Sequence, residues 1–425
     1  MKGWFWIGAA VALTLPGLTI QIAGLHLDKE NPPLAAAILG LSVVGAAFLL
    51  SWACEVAEKD IPPALALSAL ALIAVLPEYA VDFSLTWQAA KNPAYQEYAV
   101  ANMIGANRMI VGFAWPLLVF IFWLRFRKSQ VTLAKSQRVE IGFLMVAGIY
   151  SLTIPLKGHI DFIDVVVLVG LFVLYTWRIS KSEVHEPELV GPAEVLGRLD
   201  TLPRRIIVIG MTIFAAAVIF VAAHPFAESL ILTGTKLGID EVFMVQWFAP
   251  LASEAPEIVV CILFTLRGLA GAGMGALVAS KVNQWTLLVG TLPLVFSLAS
   301  GTFRSLPLSE NQVGAMFVTS GQTLLAVMIL VNLSAHLWEA ALLFGLLMAQ
   351  FFVPVNLHMG GFNLNTHFLF GGIYLALALA MAVVHFKSFG PTFAAMLGRV
   401  EPELAVAGTH NEIDKEVVSP KAGRG

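Results

Sequence analysis

Twelve apolar stretches, each about 17–25 residues long, leave this chain few ways to fold. They cover roughly residues 3–24, 34–53, 63–89, 97–124, 139–155, 160–177, 206–227, 241–265, 272–299, 314–332, 337–355 and 367–386. A run of about 20 apolar residues spans the hydrocarbon layer as a helix, and lipid leaves no water to satisfy an open backbone. Charged residues make up 12% of the 425, against about 25% in soluble domains. The expected fold is an all-α polytopic membrane protein of about 12 transmembrane helices. A net charge of -3 with no basic patch argues against nucleic acid as a partner. Cys54 and Cys261 are the only cysteines, which excludes a disulfide framework and speaks against a thiolate metal site. Lys2 followed by the apolar run from Trp4 to Gly24, without a small-x-small cleavage site, reads as a retained first helix.

The basic residues set the orientation. With the N-terminus inside, alternating spans put 18 of them on the cytoplasmic side and five (Lys29, Lys91, Lys157, Lys236, Arg304) outside. Both termini are therefore expected in the cytoplasm, with the protein in a bacterial inner membrane. Two of the 25 bases, Arg108 and Lys281, belong to neither side. They lie inside apolar segments, where a base needs a partner. The intramembrane acids Glu78, Asp82, Glu254 and Glu257 are the expected partners.

Two of these acids stand in matching dipeptides, Pro77-Glu78 and Pro256-Glu257. A carboxylate at that depth is costly unless it faces a bundle interior, a cavity or an ion. The preceding proline removes a backbone donor and frees carbonyls nearby. Each Pro-Glu helix is followed by one carrying small and polar residues and ending similarly, Val111-Gly112-Phe113-Ala114-Trp115-Pro116 and Val289-Gly290-Thr291-Leu292-Pro293. Each pair has one segment before it and two after it. The layout is a peripheral helix (1–30), five helices (31–179), a polar linker (180–205), five helices (206–356), a last peripheral helix (357–388) and a tail (389–425). An odd number of spans per unit means the two units run in opposite senses through the membrane. Such inverted repeats, with sites on broken helices near the midplane, are the architecture of secondary transporters.

At these residues the chain resembles the cation/calcium exchanger superfamily, which includes sodium/calcium and calcium/proton antiporters. Its two repeats carry a hydroxyl-rich segment ending in Pro-Glu, then a G-N-x-x-G-S-N-like segment. Here the second motif reads Ala101-Asn102-Met103-Ile104-Gly105-Ala106-Asn107 and Gly275-Ala276-Leu277-Val278-Ala279-Ser280-Lys281. The hydroxyl positions before Pro-Glu are Ala74 and Val75 in one half, and Ser253 and Glu254 in the other. Ala106 replaces a serine that Ser280 keeps, and Lys281 stands where an Asn is usual. Matching the glycine motif aligns Asn107 with Lys281, whereas matching the helix ends aligns Met103 with it; the glycine motif is preferred.

The resemblance implies an antiporter working by alternating access, exchanging Ca²⁺ or another cation for Na⁺ or H⁺, with Glu78 and Glu257 as the metal-binding pair. Their carboxylates suit a hard cation and can equally take up protons. Asp82, four residues after Glu78 on the same helix face, is either a further ligand or the partner of Arg108. Glu254, three before Glu257, either pairs with Lys281 or carries a coupling proton. Ser253, Asn102, Asn107, Ser280, Asn283 and Gln284 can add side-chain oxygens, or merely join helices by hydrogen bonds. Arg108 and Lys281 are charge-compensating groups, standing in for a bound cation or forming static ties. In the alternative reading Arg108 or Lys281 replaces a cation in a Na⁺/H⁺ exchanger without calcium transport. No H-E-x-x-H, G-x-S-x-G or phosphate-binding loop occurs, so an enzyme is not expected, and no cofactor is expected beyond the transported ions. The histidines lack metal-ligand spacing and read as interfacial, as do most of the ten tryptophans; His185 with Glu186 and Glu188 reads as solvated linker.

Overall fold

The computed structural model describes residues 2–60, 75–181, 189–353, 355–359 and 362–399. The apolar stretches become α1 (Lys2–Ile22), α2 (Pro32–Ala57), α3 (Leu76–Lys91), α4 (Ala101–Phe126), α5 (Arg138–Lys157, with a break at Leu152), α6 (Phe162–Ile179), α7 (Thr201–Leu237), α8 (Glu241–Leu266), α9 (Ala270–Ser300), α10 (Glu310–Leu330), α11 (Leu337–Phe352) and α12 (Thr366–Val384). Among the described residues, ten helices are long and apolar enough to cross a membrane, and α11 is a shorter apolar one. The remaining expected span is represented by α3; its upstream residues 61–74, with Ala74, lie outside the described residues. The all-α polytopic architecture is as expected. Residues 182–188, with His185, Glu186 and Glu188, also lie outside the described residues, so the reading of that segment as solvated linker has no structural counterpart here.

Local chemistry sets several helix ends. Asp161 caps α6 by accepting from the backbone of Ile163 (2.9 Å) and Asp164 (3.1 Å), while Asp164 accepts from the Asp161 backbone at 2.7 Å. Ser309 and Gln312 form the same reciprocal box at α10. Asp240 caps α8 through the Phe243 backbone at 2.7 Å.

Two short strand pairs reveal the symmetry. β1 (Gln130–Thr132), after α4, pairs antiparallel with β4 (Ser334–His336), after α10. β2 (His159–Ile160), after α5, pairs with β3 (Leu306–Pro307), after α9. Paired strands must lie on one side of the membrane, so six spans separate β1 from β4 and four separate β2 from β3. Both counts are even, as twelve spans require. β1 and β3 hold corresponding places in the two halves yet lie on opposite faces, which is the signature of inversion. The β1–β4 face also carries the start of α1 and the end of α12, and is called here the terminal face.

The halves interlock. α3 packs on α9 and α4 on α8, while α6 and α11, the last helix of each unit, cover α9 and α4 of the other unit. α1, α2 and α7 form a separate layer with its own apolar cluster. There the Gly17 backbone donates to Ser42 Oγ at 3.2 Å, the close approach that small residues permit in lipid.

Two features differ from expectation. The linker contains a short helix, Pro192–Gly197, that buries Ala193 and Leu196 against α1 and α2, and is not all solvated. The tail begins with an amphipathic helix, α13 (Phe386–Met396), docked on α5 and held by bonds from Arg138 to Thr392 (3.1 Å) and from Arg178 to the Ala395 carbonyl (3.2 Å). Ser388 and Gly390 make that stretch look polar, while Phe389 and Phe393 pack on the core.

At the terminal face Asp60 closes α2 onto α7. It accepts from Arg204 Nε and Nη2, each at 2.8 Å, and from Arg205 Nε at 3.1 Å. These hydrogen bonds, led by Arg204, hold its carboxyl below the ordinary aspartate value. A lowered carboxyl pKa stabilises the fold above about pH 3.9, and that contribution is lost as pH falls through the folded value. Asp60→Asn is expected to reduce stability at pH 7 by roughly 1 kcal/mol. Thermal melts should show the gap between variant and wild type closing as pH falls through the acid range.

Candidate functional site

The site is built on α3, α4, α8 and α9. Both following helices carry a π segment, Ile110–Ala114 in α4 and Gln284–Leu288 in α9. Such widened turns are frequent at functional sites. They lie in the register that aligns Asn107 with Lys281, so the glycine motif is the correct match between the halves.

Four carboxylates lie deep. Glu78, near the start of the described part of α3, is about 20 Å along the helix from Lys91. On α8, Glu254 is about 20 Å and Glu257 about 24 Å from the Glu241 end. Glu78, Asp82 and Glu254 are buried, and Glu257 is half-buried. Glu78 and Glu254 face each other within hydrogen-bonding reach, with Glu257 and Asp82 close enough to act on Glu78 through charge. Asp82 lies beside Asn102 and accepts from the Met103 backbone at 3.0 Å. Gln284 donates to Glu254, and Ser280 lies beside Glu257. Asn283 accepts from the Tyr79 hydroxyl at 3.1 Å. The Ser253 hydroxyl turns back on its own helix, 3.4 Å from the carbonyls of Ala249 and Pro250.

One oxygen each of Glu78, Asp82 and Glu254, together with Ser280 Oγ and Gln284 Oε1, is buried without a hydrogen-bond partner among the described residues. Buried polar atoms ordinarily find partners, so a concentration of orphaned oxygens is a donor set in waiting.

The two bases do not pair as expected. Lys281 donates to Asn107 Oδ1 at 2.6 Å and to its carbonyl at 3.3 Å, with its ammonium 4.4 Å from the Trp285 ring centroid. Arg108 donates to Gln350 on α11 and lies 5.1 Å from the Trp247 ring centroid. Among the described residues neither base forms an ion pair with an intramembrane acid. Asp82 and Arg108 do not pair, and Lys281 acts on Glu254 through charge without a direct ion pair. The reason is distribution: amide oxygens and aromatic faces lie nearer to each base than the carboxylates do. The tryptophan partners were not legible, because nothing in the spacing along the chain singles out Trp247 and Trp285. Gln350 and Tyr374, from helices outside the repeat motifs, gave no signal either.

Residues 33–181 and 207–355 both match the family of the sodium/calcium exchanger protein. The chain belongs to that family. The two matches fall on the two five-helix units. Among solved structures, the H⁺/Ca²⁺ exchanger CAX is 38% identical over 93% of this chain and 98% of its own, with a TM-score of 0.87. The sodium-calcium exchanger NCX_Mj shares the fold at 18% identity, with TM-scores of 0.51 and 0.52 in two ion-soaked forms; each comparison covers 77% of this chain and 99% of that one. No curated protein sequence matches. As a family member with ten long apolar helices the chain is an integral membrane protein, and cation exchange is the family's activity.

α4 lies against α8 beside the carboxylates, and Gly105 makes that contact. A Cβ there would sit 1.6 Å from the Gln246 carbonyl oxygen, a backbone atom that cannot step aside. Gly105→Ala is expected to cost about 3 kcal/mol or more. Size-exclusion profiles and thermal melts of the purified variant check this, and a variant melting like wild type would contradict the packing.

Proposed function

We propose that this exchanger-family member carries out H⁺/Ca²⁺ antiport by alternating access, with both termini in the cytoplasm. The orphaned oxygens around Glu78, Asp82 and Glu254 carry the proposal. Facing carboxylates in lipid must be neutralised, either by a divalent cation or by protons. The two states exclude each other, and that exclusion is the basis of antiport. Carboxylate, hydroxyl and amide oxygens suit Ca²⁺. The 38%-identical relative is an H⁺/Ca²⁺ exchanger, which favours the proton as counter-ion. The bias of basic residues toward one side favours the orientation.

Glu78 and Glu257 act as the principal ligands, with Asp82, Asn102, Ser280, Asn283 and Gln284 completing the oxygen set. Glu254 carries a coupling proton. Ser253 is poised to join if its hydroxyl turns from the helix. Lys281 engages both oxygens of Asn107, so that a tethered ammonium takes the place a monovalent cation would otherwise need.

Transport into proteoliposomes under imposed Na⁺, Ca²⁺ and pH gradients tests the whole. Calcium uptake driven by a pH gradient and indifferent to Na⁺ is the expected outcome. Na⁺/H⁺ exchange without calcium flux would overturn it. Glu78→Gln and Glu257→Gln should each reduce uptake by about two orders of magnitude, because each removes one charge from a buried set. Lys281→Gln should make uptake respond to Na⁺; a variant with lower thermal stability but unchanged ion dependence would reduce Lys281 to a structural tie.

A further inference from the structure

A cavity of about 570 Å³ opens on the face opposite the termini, between α4, α8, α10 and α11. Its mouth carries Glu97 and Asp240; its walls include Gln246, Trp247 and His367; Arg108 is at its depth. Arg108 is 3% exposed, and its Nε has no hydrogen-bond partner among the described residues. Among the described residues it donates to Gln350 and lies against the Trp247 ring, with the Tyr374 hydroxyl nearby, all of them neutral groups. A guanidinium cannot shed its charge in a protein, so this one is a full positive charge at membrane depth without a carboxylate opposite it.

The acids at the mouth do not neutralise it. Glu97 is exposed, and Asp240 is committed to capping α8. Around the guanidinium the groups are donors or adaptable: the Gln246 side chain and the imidazole of His367. A positive floor of this kind repels the cations that the carboxylate site is suited to hold. It attracts the opposite charge.

We infer that the floor of this cavity is a binding site for a small monovalent anion, held by Arg108 with Gln246 and His367 and lying against Trp247. The proposal goes beyond cation exchange and does not rest on it, because the anion site shares no residue with the carboxylate cluster. The proximity of Trp247 gives a direct readout. Tryptophan emission of the purified full-length protein is titrated with iodide at constant ionic strength, and then with chloride as competitor. The expected result is a saturable component of quenching, competed by chloride and missing from Trp247→Phe. In Arg108→Gln its midpoint should shift by at least about tenfold, the loss of one charge-assisted hydrogen bond. Gln246→Leu, which leaves Arg108 in place, should weaken it less. Linear, uncompeted quenching in the wild type would overturn the proposal whether or not Arg108→Gln folds. So would saturable quenching that survives in a monodisperse Arg108→Gln. A calcium-binding titration of the wild type in gluconate, without halide, separates this result from any failure of the cation site.

Discussion

The contact between Lys281 and Asn107 lies at the centre of the molecule. These two residues occupy the same position in the two repeats, as the π segments that follow them establish. Residues related by a two-fold axis can touch only where they lie close to that axis. Their 2.6 Å bond therefore marks where the inverted halves meet. Everything around it follows from the difference between them. One half places an amide there and the other an ammonium, so the fold is symmetric and the chemistry is not.

That asymmetry decides where the carboxylates can go. With Lys281 bonded to Asn107 and acting on Glu254 only through charge, and Arg108 turned to Gln350 and Trp247, neither base forms an ion pair with Glu78, Asp82, Glu254 or Glu257 among the described residues. These acids are thrown together, Glu78 against Glu254 across the α3–α8 boundary. A site whose own bases quenched its acids would have no need of an ion. Without a direct ion pair to either base, the carboxylates face one another.

The transmembrane plan was legible in the sequence because lipid imposes a length on every span and a cost on every stray charge. Apolar run lengths located the helices, and the alternation of basic loops agrees with the parity that the β1–β4 and β2–β3 pairings require. Glu78 and Glu257 were legible for the same reason, since carboxylates at that depth are conspicuous. The partners of the bases were not. Charge suggested acids, but an ammonium over Trp285 or a guanidinium over Trp247 is an arrangement of tertiary structure that no spacing along one helix announces. α13 was missed because its phenylalanines are interleaved with Ser, Gly and Pro, and its apolar face emerges only at the helical period.

The two bases, equivalent at first sight, end in different surroundings. Lys281 is enclosed, with its charge directed at amide oxygens. Arg108 reaches a cavity that opens on the face opposite the termini. A cation entering this cavity passes Glu97 and Asp240 at the mouth and then meets a guanidinium at its depth. Arg108 is linked to Gln350 on α11, and through Gln350 to Tyr374 on α12 at 2.8 Å, so any movement of the guanidinium is tied to helices outside the carboxylate cluster. The last peripheral helix is thereby connected, through Gln350, to the floor of the cavity.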